Sequence, residues 1–103
     1  MAYLMLRYNL KDGVTPADFE KWVREVDQPT MRGLERVASF ETWRVTGLLM
    51  GEGMPSQQYF ELFEIADLAG FTAEDMQGEA VQSIMGAFTG FAEAPEFNIA
   101  EKL

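Results

Sequence analysis

Residues 19–30, which read F-E-K-W-V-R-E-V-D-Q-P-T, carry the clearest structural pattern in the chain. Four apolar residues in this stretch recur at i, i+3, i+4 and i+7, and they are Phe19, Trp22, Val23 and Val26. This spacing places all four on one face of an amphipathic helix. The broad indole of Trp22 has to be buried against a neighbouring surface, so the stretch predicts a helix that packs on a sheet.

Sequence signals also mark both ends of this helix. Thr15 is a favourable N-cap, and Pro16 suits the first helical position, where no backbone N–H is needed. Pro29 disfavours helical backbone at the residue before it. We therefore predict a helix from about Pro16 to about Gln28, followed by a loop over residues 31–36.

The remaining elements follow from composition and periodicity. Runs rich in aromatic, aliphatic and β-branched residues predict strands over residues 2–10, 37–49, 58–66 and a short stretch around 97–103. A second apolar stripe predicts a helix over residues 79–91, preceded by a short helix that Asp67 caps. Glycines and a proline in residues 50–56 predict an exposed hairpin loop.

The predicted order β-α-β-β-α-β is typical of the ferredoxin-like fold of the α+β class. We expect one domain over residues 1–103, with a four-stranded antiparallel sheet and both helices on one face. The predicted strands carry large apolar side chains on both faces, so the helix-free face also needs a cover. A second copy of the chain is the simplest cover, which predicts a homodimer. The alternative is a monomer with an unusually apolar exposed sheet.

Charge and composition exclude several classes of function. Eight basic against seventeen acidic residues give a net charge of −9, which disfavours nucleic acid and anionic membranes as partners. No apolar run reaches the ~20 residues of a membrane span, and no basic leader precedes the first strand, so we expect a cytoplasmic protein. The chain has no cysteine and no histidine. We therefore expect no disulfide, no metal site and no cofactor, haem included.

Several motifs resemble those of the RedY/HapK-like proteins of the dimeric α/β-barrel superfamily. They are K-D-G-V-T-P-A-D-F-E-K-W at 11–22, V-D-Q-P-T at 26–30, R-G-L at 32–34 and W-R-V-T-G at 43–47. The resemblance covers nearly the whole chain. It implies a dimeric barrel associated with prodigiosin-type pyrrole pigment pathways. More distant relatives include cofactor-free monooxygenases, polyketide cyclases and lactone isomerases.

Two charged residues lie within strands that otherwise look buried. Arg44 and Glu61 are at similar distances from the predicted hairpin loop, so we predict that they pair across the strands. Such a pair can simply order the sheet. Alternatively, Glu61 holds the guanidinium of Arg44 in place to bind a carboxylate, phenolate or carbonyl oxygen of a ligand.

Further candidates for ligand binding are an aspartate and four aromatic residues. Asp27 is predicted at the C-terminal end of the first helix, where the helix dipole disfavours negative charge. It either binds nearby loop amides or arginines, or it serves as a carboxylate at the mouth of a pocket. The aromatic candidates, which can wall a flat ligand or simply form core, are Tyr8, Trp22, Trp43 and Tyr59.

Three hypotheses for function remain open at this point. The first is an accessory or small-molecule-binding protein of secondary metabolism that holds a flat aromatic or heteroaromatic intermediate. The second is a cofactor-independent cyclase, isomerase or monooxygenase, in which Tyr59 or Asp27 moves protons and Arg44 stabilises an oxyanion. The third is an interaction module with a solid core, which a cavity below ~300 Å³ would favour. Whether the protein is an enzyme is left undecided by the sequence.

Overall fold

A computed structural model describes all residues from Met1 to Leu103. Its strands are β1 (Ala2–Leu10), β2 (Val37–Arg44), β3 (Tyr59–Ile65) and β4 (Ala92–Ala100). The helices are α1 (Pro16–Trp22), α2 (Gln28–Arg32), α3 (Leu68–Ala73) and α4 (Glu79–Phe91). A π-helical segment (Val23–Asp27) joins α1 to α2, and a short 3₁₀ turn (Asp75–Gln77) lies between α3 and α4. None of the helices has the length and apolar character that a membrane span needs.

The four strands form one antiparallel sheet in the order β2-β3-β1-β4, which confirms the predicted ferredoxin-like arrangement. Alternate residues of β1 and β3 point toward the helices and form the core. On this helix-covered face the fully or nearly fully buried rings belong to Tyr8, Phe40, Tyr59 and Phe63. The opposite, helix-free face carries Met5 and Trp43, which remain about 40% exposed.

The first helix differs from its prediction at its C-terminal end. Helical backbone continues from Pro16 through α1, the π-helical segment and α2 as far as Arg32, so Pro29 does not end it and Met31 is not in a loop. The reason is a change of winding, because the N–H of Gln28 bonds to the carbonyl of Val23, five residues back. Pro29 then lies in the first turn of α2, where a missing N–H costs little.

This π winding also changes which residues face the sheet. The buried residues of the composite helix recur every four positions, as Phe19, Val23, Asp27 and Met31. Val26 is 44% exposed, so its predicted place in the apolar stripe is wrong. An ordinary helix at 3.6 residues per turn would rotate position 27 away from the core, whereas the wider π turn keeps it inside.

Other boundaries shift by a few residues. β2 ends at Arg44 rather than Leu49, so the irregular connection to β3 is longer than predicted. β4 begins at Ala92, well before the predicted last strand, and Pro95 lies within it. β4 is an edge strand, where a proline removes no bond that the sheet requires. Helix α4 has the bounds that its sequence pattern predicts.

Candidate functional site

A buried acidic cluster lies where the π-helical segment crosses the sheet. It consists of Asp27 from that segment, Glu61 from β3 and Tyr8 from β1. Asp27 and Glu61 are each 3% exposed and are the only fully buried residues with charged side chains, and Tyr8 is completely buried. Buried carboxyl groups are costly to ionise, so their presence in the core needs a specific reason.

Local structure explains how Asp27 reaches the cluster. The sequence predicts Asp27 at a helix terminus, but the structure places it inside the helix, in the buried stripe between Val23 and Met31. The predicted hydrogen bonds to loop amides are absent, since Asp27 makes no side-chain capping bond. Arg32 influences the carboxyl only through its charge, while its guanidinium donates to the carbonyl of Phe40.

The partner of Glu61 is Tyr8, and not Arg44 as predicted. Leu6 is directly opposite Glu61 in the β1–β3 ladder, so Tyr8 is the diagonal neighbour on the same face. The Tyr8 hydroxyl donates a hydrogen bond to Oε2 of Glu61. Aromatic rings hold the phenol in place, because Tyr8 packs edge-on against Phe19 and Phe88 at centroid distances of 5.8 and 4.9 Å.

Burial moves the titration of both carboxyl groups toward neutral pH. Desolvation raises the pKa of Asp27 to about 7, although the positive charge of Arg32 opposes this shift. Desolvation and the negative charge of Asp27 together raise the pKa of Glu61 to about 8, and the bond from Tyr8 opposes that shift. Burial and Glu61 raise the pKa of the Tyr8 phenol, so this group stays protonated. The two carboxyl groups therefore change charge near physiological pH.

The two acids line one end of a cavity between the sheet and the helices, which we call the carboxyl cavity. Its volume is about 360 Å³, and 13 of its 16 lining residues are hydrophobic. Asp27, Glu61 and Thr72 supply the only polar side chains of the wall. The apolar wall comes from β1, β3, β4 and all helices except α1, and includes Leu6, Met31, Phe63, Phe71, Ile84 and Phe88. Its size lies in the range of small-molecule sites.

Arg44 belongs to a second pocket of about 330 Å³ beside α1. Its Nε donates to Oε2 of Glu20 at 2.8 Å, and its Nη2 donates to Oε1 of the same carboxylate. The Tyr59 hydroxyl also donates to Oε2 of Glu20, at 2.6 Å. These bonds, chiefly those from Arg44, lower the pKa of Glu20 to about 2. The guanidinium of Arg44 is thus already occupied by a carboxylate of the protein.

The predicted pair of Arg44 with Glu61 is wrong for a geometric reason. In the β2–β3 ladder Arg44 is opposite Tyr59, while Thr42 is opposite Glu61. Arg44 and Glu61 therefore share a face but are one step apart along it. Each has a nearer partner, since Glu20 projects from α1 over Arg44 and Tyr8 reaches Glu61 from β1.

The two tryptophans do not share a cavity. Trp22 packs against Phe19 and Phe91 at centroid distances of 6.1 and 5.2 Å and lines neither the carboxyl cavity nor the Arg44 pocket. Trp43 borders the Arg44 pocket, yet its indole stacks on Phe60 at 5.0 Å. Of the seven candidate site residues, the structure brings together Tyr8, Asp27 and Glu61 at one place and Trp43, Arg44 and Tyr59 at another, and leaves Trp22 apart from both.

Sequence reasoning missed Glu20 and most of the cavity wall. Glu20 lies beside the apolar stripe with no signal that separates it from an ordinary exposed glutamate. The wall residues between Leu68 and Phe88, including Met76 and Met85, have the sequence spacing of ordinary core residues. No three acidic side chains converge in the way that a metal site requires.

Comparison with known proteins identifies relatives over the full chain. The family model described as REDY-like protein HapK matches residues 2–103. The crystal structure of HapK from Hahella chejuensis has a TM-score of 0.81 at 30% identity, covering 100% of this chain and 93% of that chain. No curated protein matches the chain.

More distant solved structures share the fold. An ethyl tert-butyl ether d (ethd) family protein from Bacillus halodurans has a TM-score of 0.78 at 16% identity, covering 100% of this chain and 99% of that chain. A dimeric ferredoxin-like protein of unknown function from Thermobifida fusca has a TM-score of 0.73 at 12% identity, with coverages of 98% and 90%. At these identities the likeness concerns the fold alone.

Proposed function

Since this chain belongs to the REDY-like HapK family, we propose that it is an accessory, ligand-binding protein of secondary metabolism. Its ligand is a small, flat aromatic or heteroaromatic intermediate, of the kind that the resemblance to pigment-pathway proteins implies. The site is the carboxyl cavity. The observation that carries this proposal is a cavity of about 360 Å³ with an almost wholly apolar wall and two acids at one end.

This combination has the chemistry of a binding site. Small-molecule sites are concave and mostly apolar, with a few polar groups that fix orientation. Phe63, Phe71 and Phe88 supply flat surfaces for an aromatic ligand, and Asp27 and Glu61 supply oriented acceptors. A solid interaction module is disfavoured, because the volume exceeds the ~300 Å³ at which ligand sites begin.

We propose that the protein acts as a homodimer closed through the helix-free face. The stacked rings of Trp43 and Phe60 lie on that face together with Met5 and Leu62. Water-exposed apolar surface of this kind is typical of an interface. The relative from Thermobifida fusca is itself described as dimeric.

Calorimetric titration with a flat aromatic probe tests the binding role. We expect 2-aminonaphthalene to bind saturably to the wild-type protein. Thr72→Phe should weaken that binding at least tenfold, because Thr72 is exposed and borders the cavity, so a ring there fills its mouth. The matched control is Thr89→Phe, since Thr89 is exposed on α4 outside the cavity. Equal affinities for both variants, or no binding at all, would contradict the proposal.

A second candidate function is cofactor-independent acid–base catalysis. The observation that favours it is the pKa of Asp27, about 7, inside a cavity that a substrate can enter. A general base works best when its pKa lies near the operating pH. In this version ionised Asp27 removes a proton from the bound substrate and Glu61, held by Tyr8, returns one. Tyr59 and Arg44 are not part of it, because both bind Glu20 in the other pocket.

Hydrogen exchange distinguishes this second candidate from simple binding. In D₂O, an enzyme of this type should speed deuteration of an acidic C–H in a flat probe such as 2-oxindole. Asp27→Asn should abolish the acceleration while the probe still binds, because the side-chain carbonyl of asparagine remains an acceptor. If the wild-type protein binds 2-oxindole without changing its exchange rate, the protein binds ligands but does not move protons on this class of compound.

A further inference from the structure

The polar part of the carboxyl cavity is entirely acidic or neutral. No lysine or arginine lines its wall, and its polar side chains are Asp27, Glu61 and Thr72. The charged and titratable groups that face the acids are few. Tyr8 reaches Glu61 from β1, and Arg32 acts on Asp27 from α2, while α3, α4 and β4 contribute no charged side chain to the wall. A bound ligand therefore meets two carboxyl groups and no competing cation.

Both carboxyl groups retain free acceptor capacity toward the cavity. Tyr8 occupies Oε2 of Glu61 and leaves Oε1 available. Asp27 makes no capping bond, and no hydrogen bond contributes to its pKa. Two acceptors at one end of an apolar cavity match a ligand edge with two adjacent N–H donors.

We propose that the carboxyl cavity selects a flat nitrogen heterocycle that is bound as a cation, of the amidinium or 2-aminopyridinium class, with its adjacent N–H groups donated to Asp27 and Glu61. This inference rests on the proposed function, since it names the ligand class of the same cavity. A monocation in an apolar cavity needs one carboxylate partner, and the second acid stays protonated and accepts an N–H bond through its carbonyl oxygen.

The surroundings of the acids favour ionisation once a cation arrives. The hydroxyl of Tyr8 and the charge of Arg32 each stabilise the carboxylate form of one acid. The pair titrates near neutral pH, so ionising one of its two acids costs little free energy. The net charge of −9 also attracts cationic ligands from solution. Where both acids are protonated, one of them must release its proton when the cation binds, so affinity falls as the pH falls below about 7.

A matched pair of probes tests this selection. 2-Aminoquinoline is protonated near neutral pH, whereas 2-aminonaphthalene has the same shape and stays neutral. At about pH 6.5 we expect the quinoline to bind at least tenfold more tightly. Calorimetry in two buffers with different heats of ionisation should show proton release with the quinoline and none with the naphthalene.

Variants separate this inference from the proposed function. Asp27→Asn and Glu61→Gln should each reduce the affinity for 2-aminoquinoline at least tenfold more than the affinity for 2-aminonaphthalene, and circular dichroism checks that each variant is folded. Equal binding of both probes without proton release would overturn the cation selection and leave ligand binding standing. So would tighter binding of the naphthalene. Failure of both probes to bind would overturn both proposals together.

Discussion

Tyr8 donates its hydroxyl proton to Glu61 from the diagonally adjacent position on the neighbouring strand, and both side chains are buried. The donor of this bond comes from a central strand of the sheet, since β1 pairs with both β3 and β4. The bond also limits how far burial raises the pKa of Glu61. The charge state of the cavity is thus set by the same contact that orders the core.

Replacing Tyr8 by phenylalanine should remove this hydrogen bond and keep the ring packing. Glu61 then has no donor, so we expect its pKa to rise further and stability to fall by about 1–3 kcal/mol above pH 8. Chemical denaturation at two pH values measures this. The matched control is Tyr59→Phe, because Glu20 keeps Arg44 after that change. A loss that is equal at pH 6 and pH 9 would contradict the assigned role.

The two buried acids should make the protein less stable as the pH rises. Their pKa values in the folded protein, about 7 and about 8, lie above the ordinary carboxyl range, so the folded state holds protons that the unfolded state has released. This contribution is complete at acid pH and is lost as the pH rises through about 7 and 8. We expect the free energy of unfolding to fall by several kcal/mol between about pH 5 and pH 9.

Isosteric amides test the assignment of this pH dependence. Asp27→Asn and Glu61→Gln remove the titrating groups. Each variant should therefore lose part of the fall in unfolding free energy between about pH 5 and pH 9, and the double variant should lose most of it. A double variant with the wild-type slope would show that other groups are responsible. Glu20 serves as an internal contrast, because its lowered pKa places its own titration in the acid range.

The π-helical segment predicts a difference between two valines that an ordinary helix would not produce. Val23 is buried and Val26 is 44% exposed, although both belong to the same predicted apolar stripe. Val23→Ala should therefore cost about 2 kcal/mol of stability, and Val26→Ala less than about 0.5 kcal/mol. The two changes remove the same atoms, so each is the control for the other. Equal losses in thermal or chemical unfolding would rule out the π winding.

The order of strands and helices could be predicted because each element has a strong local pattern. Helix α4 is an example, since its apolar spacing predicts Glu79–Phe91 without tertiary information. The π winding could not be predicted in this way. One backbone hydrogen bond from Gln28 to Val23 moves Asp27 into the core and Val26 out, and no propensity scale separates this from an α-helix.

It was easier to predict on which face of the sheet each candidate site residue lies than to predict which residue it pairs with. The strand patterns correctly place Arg44 and Glu61 on one face of the sheet. Their partners, Glu20 and Tyr8, come from a helix and from a strand that is distant in sequence. Such choices depend on where α1 crosses the sheet, and two pairings that differ by one step along a strand look alike in sequence.

The helix-free face provides the last prediction. Met5 lies at the middle of β1 on this face, opposite Leu62 of β3, and is 39% exposed. If a second copy covers the face, Met5→Glu places a charge in the interface without a free partner, because Arg7 on the same face already pairs with Glu96. A desolvated, unpaired carboxylate costs several kcal/mol, so the dimer should dissociate. Sedimentation at micromolar concentration should then shift from twice the chain mass to a monomer of 11.6 kDa.

A matched charge elsewhere on the surface controls for general effects of the new carboxylate. Val26→Glu introduces the same side chain at an apolar position of similar exposure, on the helices rather than on the helix-free face. It should leave the sedimentation unchanged. A wild-type protein that sediments as a monomer would overturn the dimer. So would a Met5→Glu variant that stays dimeric, because an interface through the centre of this face cannot accommodate that charge without a partner.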